Sequence, residues 1–150
     1  MTRSVPMVHT YQSYLDASPH DRITFEQCGR VLDKIIAAMD LDDPVYSETW
    51  EDFIGVAITY TKIRADFSLM SITEITEQSA KRTSAHNAVI DSLTAVVRLM
   101  ARDGHDTKWA NEFNIDLTDA KRAKTKFNRR KIGDFANYLV YINALSTRLV

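Results

Sequence analysis

A length of 150 residues suits one domain, and with 45% apolar and 26% charged side chains the chain can order around one core, which excludes disorder over its whole length. A single cysteine excludes an internal disulfide and a cysteine metal cluster. The formal charge of −1 hides a division: up to residue 80 thirteen acids meet six bases, and beyond it seven acids meet thirteen bases, so the second half suits either an acidic partner or attraction to the first half.

Only four Gly and three Pro interrupt the helical periodicity, and the expected fold is all-α, a single-domain bundle of five to seven helices over residues 1–150. A first helix is expected over about 5–17, with Val8, Tyr11, Tyr14 and Leu15 on its apolar edge and Ser18-Pro19 at its end. The second opens either at Ser18, Pro19 and Asp21 or at a capping box of Thr24 and Gln27. Its buried face is Cys28, Leu32, Ile35 and Met39, widened by Val31 and Ile36. The acidic segment from Asp40 to Ser47, which contains Pro44, reads as a surface loop. Ser47 or Thr49 opens a third helix that runs to about residue 69 on Trp50, Phe53, Ile54, Ala57, Ile58, Tyr60 and Phe67.

Ser71 and Glu74 make a further capping box, with a second start at Ser84 as the alternative. Ala85, Val89, Leu93, Val96 and Met100 keep one face up to a stop at Gly104, and Asp106 caps a short helix through Phe113. The last helical stretch opens at Thr118 and Asp119 and carries Phe135, Leu139, Ile142 and Leu149. Gly133 inside it implies either close packing or a break at which Asp134 caps a separate final helix. The core is expected from residues 28–39, 50–58, 85–100 and 135–149. No apolar run reaches the roughly 20 residues of a membrane span, and the opening residues lack the apolar core of a signal peptide, so the expectation is a cytoplasmic protein without a membrane partner.

The densest charge lies at residues 121–131, where Lys121, Arg122, Lys124, Lys126, Arg129, Arg130 and Lys131 occur without an acid. Such a run is commonly a solvated helix face, here balancing the acidic half; it is also able to neutralise phosphates or carboxylates. Residues 109–120 have the cadence of a helix-turn-helix. Ala110 takes the tight helix contact, Asn114 the turn position where Gly is usual, and Ile115 the buried turn position. A reader helix opening at Thr118 would direct Lys121, Arg122 and Thr125 toward bases.

Other chemistry has less behind it. His9, His20, His86 and His105 form no i, i+4 pair and no Glu-x-x-His step. His20-Asp21 and His105-Asp106 are similar to the His-Asp pair of all-helical metal phosphohydrolases, which would imply a metal site gathered from His86, His105, Asp106 and a later Asp. The four isolated glycines offer no phosphate-cradling loop, Cys28 reads as a packed thiol, and Trp50, Phe53, Tyr60, Phe67 and Trp109 read as core. His86-Asn87 either bonds a neighbouring helix end or orients a ligand. The reading that follows is a small non-enzymatic binding or regulatory protein that contacts an acidic protein or nucleic acid through a basic helix, residues 121–131. No catalytic group, metal or cofactor is assigned, and Tyr46 and Trp50 offer an edge for self-association.

Overall fold

The computed structural model describes residues 23–40, 42–115 and 127–149, with side chains to residue 143. These residues are helical with no strand, in four α-helices and one 3₁₀ helix: α1 (Phe25–Ala38), α2 (Pro44–Phe67), α3 (Ile72–Arg102), the 3₁₀ helix (Lys108–Phe113) and α4 (Arg129–Leu149). The expected helix over 5–17, the start at Ser18, Pro19 and Asp21, and the opening at Thr118 and Asp119 lie outside the described residues.

Caps set most of the boundaries. Thr24 and Gln27 form a reciprocal box at the start of α1, with Thr24 Oγ1 accepting from the Gln27 N–H at 3.0 Å and Gln27 Oε1 accepting from the Thr24 N–H at 2.9 Å. On this helix Cys28, Val31 and Ile35 are buried, while Ile36, expected on the same face, is exposed. The segment expected as a loop up to Ser47 is shorter, because Asp43 caps α2 by accepting from the Val45 N–H at 3.0 Å and Pro44 occupies the first turn. Proline has no N–H to leave unsatisfied there, and its fixed φ already suits a helix.

Ser71 and Glu74 cap α3 as a box, and the helix then runs 31 residues without a second start at Ser84. The polar and β-branched first turns stay helical in part because Thr76 and Ser79 donate their hydroxyls to the carbonyls of Ile72 and Thr76. At its far end Gly104, at φ 80°, donates to the Ala101 carbonyl and His105 to that of Met100, the two bonds of a Schellman stop. Asp106 Oδ1 accepts from the Lys108 N–H at 2.9 Å, and the expected short helix is a six-residue 3₁₀ turn.

α2 and α3 form an antiparallel hairpin whose register is read from three contacts. Tyr46 Oη donates to Asp103 Oδ2 at 2.5 Å, the Tyr60 and His86 rings lie 4.8 Å apart, and the Arg82 guanidinium stands 5.1 Å over the Phe67 ring. Tyr46 is therefore buried at the base of the hairpin, with burial and then Asp103 pushing its hydroxyl up to about 12, and it cannot serve as the self-association edge expected of it. α4 packs against α2, α3, the 3₁₀ helix and α1, and residues 132–140 are buried on every face. Phe135 lies at the centre, 6.1 Å from Phe53, 5.5 Å from Phe113 and 6.5 Å from Tyr138 between ring centres. The core thus extends beyond the expected segments, taking in Ile23, Tyr46, Tyr60, Trp109, Ala110, Phe113, Ile115 and Ile132.

Two polar features of α4 suit its burial. Asn137 accepts the Thr61 hydroxyl through Oδ1 at 2.7 Å, which satisfies two buried side chains at once. At Gly133 the helix continues unbroken, so close packing is the alternative that holds: a Cβ there would stand 2.6 Å from Tyr60 Oη and 3.2 Å from Tyr60 Cζ. Alanine would gain about 1 kcal/mol in helix propensity, but overpacking a filled core costs about 1–3 kcal/mol. Gly133→Ala is expected to lower stability by about 1 kcal/mol in urea unfolding, and the loss should shrink in a Tyr60→Phe background. A stabilised single variant would show that Tyr60 swings aside at no cost.

A candidate anion-binding site at the start of the last helix

The basic stretch does not form one helix from 121 to 131. Lys121, Arg122, Lys124 and Lys126 lie outside the described residues, and α4 begins only at Arg129. Asn128 explains that boundary: its Oδ1 accepts from the Lys131 N–H at 3.0 Å as an N-terminal cap, while its own N–H donates to the Phe113 carbonyl at 2.8 Å. The first residue of α4 is thereby tied to the end of the 3₁₀ helix.

A second tie comes from α3. His86 Nε2 lies 2.7 Å from the Arg129 carbonyl oxygen, and because a carbonyl only accepts, Nε2 carries the proton and donates it. Arg129 Nη1 donates to Asn87 Oδ1 at 3.0 Å. The adjacent pair His86-Asn87 therefore grips a neighbouring helix end, one of the two roles its sequence suggested.

Between these helices is a cleft of about 400 Å³ lined by Tyr60 and Arg64 from α2, Arg82, Thr83 and His86 from α3, and Arg129 and Arg130 from α4. Four of the seven lining residues are arginines and none is an acid. Arg82 is held over Phe67 and Arg129 against a neutral amide, so neither guanidinium meets a carboxylate among the described residues. Burial lowers His86 to about 4, and the charges of Arg129, Arg64 and Arg82 push the same way against the opposing bond to the Arg129 carbonyl.

On the other side of the α4 start lies a cleft of about 540 Å³ whose lining includes Arg30, Lys34, Trp109, Glu112, Asn128 and Lys131. Lys108 lines it as well, so Glu112 is a single acid among four cations. Lys131 Nζ approaches Glu112 Oε2 at 3.4 Å, a partly exposed pair worth about 0–1 kcal/mol. The indole N–H of Trp109 is buried here with no acceptor among the described residues. Arg129, Arg130 and Lys131 are thus brought together between two cationic clefts, joined by Arg64 and Arg82, which no sequence pattern had linked to them.

Asn114 is left-handed at φ 57°, and Ala110 and Ile115 are buried as a helix-turn-helix requires. The element before the turn is a 3₁₀ helix, and the segment from Thr118 with Lys121, Arg122 and Thr125 lies outside the described residues. The proposed metal grouping does not assemble: from His86 to the end of α3 is about 24 Å along the helix axis, and His105 and Asp106 lie beyond that end. Among the described residues no three His, Cys, Asp or Glu side chains could hold a metal ion, and no helix is long and apolar enough to cross a membrane. Cys28 is a buried thiol; of the expected aromatics Phe53, Tyr60 and Trp109 lie in the core, Trp50 packs against it, and Phe67 is buried beneath Arg82. The chain matches no protein-family model, and no curated protein or solved structure resembles it significantly.

The buried imidazole has a consequence for stability. In the unfolded chain it titrates near 6.5 and in the fold near 4, so the folded state binds fewer protons between those values. The stability it contributes is full above about pH 7 and is lost as pH falls through 6.5 toward 4, on the order of 2 kcal/mol by about pH 5. Urea unfolding at the two pH values should show that extra loss in the native chain and not in His86→Gln. Equal slopes would mean that the imidazole is not held neutral.

Proposed function

We propose that the protein is a small binding protein that contacts the phosphate backbone of a nucleic acid through the cations gathered at the start of α4. The observation that carries this reading is the pair of clefts beside Arg129, Arg130 and Lys131, whose linings include eight cationic side chains and one carboxylate, Arg30 being also paired with Glu26. Guanidinium groups match phosphate oxygens in geometry as well as charge, and several such contacts on one surface give affinity without base recognition. Lys121, Arg122, Lys124 and Lys126, immediately before this surface in the chain, would add to it. An acidic protein is the other partner that such a surface fits.

A second reading, sequence-specific duplex recognition by a helix-turn-helix over residues 109–131, is favoured by the left-handed Asn114 between buried Ala110 and Ile115. Equal affinity for every duplex sequence would count against it.

The test is fluorescence anisotropy with labelled single strands and duplexes. Binding through about four phosphates should weaken about a hundredfold between about 50 and 200 mM salt. A variant with Arg129, Arg130 and Lys131 all changed to Gln should bind more weakly and with a shallower salt slope. No binding to any nucleic acid at the lower salt removes the proposal, and retention of an acidic protein by the native chain alone would then favour the other partner.

A further inference from the structure

We propose that the arginine cleft between α2, α3 and α4 is a subsite for a phosphate monoester, so that the protein holds a terminal phosphate of its nucleic acid in preference to an internal one. This deepens the nucleic-acid reading and rests on it for the identity of the carrier, but the phosphate chemistry comes from the cleft itself.

The cleft differs from a surface charge run in three ways. Its cations come from three helices and converge on one concavity, at Arg64, Arg82, Arg129 and Arg130. Two of them are held without a carboxylate among the described residues: Arg82 by the face of Phe67 and Arg129 by the amide of Asn87. The wall behind them is rigid, with Tyr60 buried, its ring 4.8 Å from that of His86, and His86 bonded to the first carbonyl of α4.

Such a cleft selects charge and shape together. An internal phosphodiester carries one negative charge and continues as chain on both sides, which calls for an open groove. A monoester carries nearly two charges at neutral pH and offers three unsubstituted oxygens as acceptors. Those oxygens suit two guanidinium forks and the exposed hydroxyl of Thr83, which also lines the cleft. His86 donates its Nε2 proton to the Arg129 carbonyl; its part is to fix where Arg129 begins.

The experiment compares one oligonucleotide carrying a 5′-phosphate with the same strand ending in a 5′-hydroxyl, on the native chain and on Arg82→Gln and Arg129→Gln, each checked for its fold by circular dichroism. Inorganic phosphate serves as competitor, and as a probe observed through the amide signals of Thr83 and His86. The native chain should prefer the phosphorylated strand by about tenfold, the worth of one or two charge-assisted bonds. Inorganic phosphate and Arg82→Gln should each abolish the preference, bringing the affinity for the phosphorylated strand down to that for the hydroxyl strand. Equal affinity for both strands, or a preference that survives in both variants, overturns the proposal and leaves general nucleic-acid binding standing. If neither strand binds but inorganic phosphate shifts the cleft signals in the native chain and not in Arg82→Gln, the nucleic-acid reading fails and the site stands with a small phosphate ester as its source. Absence of both responses overturns both.

Discussion

The described fold is arranged around a stretch of helix that has no solvent face. Residues 132–140 of α4 are enclosed on all sides, so a polar group there is costly without a partner and each contact is shape-limited. Thr61 answers Asn137, and Gly133 lets the Tyr60 ring approach the α4 backbone. At its first residues the helix meets water, and there it carries Arg129, Arg130 and Lys131. The core and the cationic surface are consecutive stretches of one helix. A change in how α4 seats would move the arginines with it.

Local signals at helix ends were legible because their chemistry is complete within four or five residues. Thr24 with Gln27, Ser71 with Glu74, Gly104 and Asn114 all act as their side chains or their lack of one dictate. Pro44 was misread as loop because proline interrupts a helix everywhere except in its first turn, and only the Asp43 cap places it there. Residues 72–84 gave weak periodicity because little packs on them; their helix depends on continuity with the buried turns that follow and on hydroxyl-to-carbonyl bonds. In the enclosed part of α4 Asp134, read as a possible cap at Gly133, is buried inside an unbroken helix, and so is Asn137.

The site was half legible. Arg129, Arg130 and Lys131 stood out as part of a charge run, but the run carries no information on where a helix begins, and Asn128 ends the non-helical chain in its midst. Arg64, Arg82 and His86 are spread over two other helices and share no motif. What assembles them is the register of the α2–α3 hairpin, which sets Tyr60 beside His86 and Phe67 beneath Arg82. The acidic half of the sequence does not supply the partners seen for Arg129 and Lys131, which bind Asn87 and Glu112 from the same basic half.

The bonds of His86 and Asn87 to Arg129 also bear on the order of assembly. The α2–α3 hairpin closes over a four-residue turn, whereas Thr61 meets Asn137 across 76 positions, and loop-closure entropy favours the nearer pairing first. Arg64 and Arg82 are then in place before the last helix arrives, but the concavity they share with Arg129 exists only once it has docked. An anion captured there would recognise the finished molecule alone, and by mass action would hold the last helix in its seat.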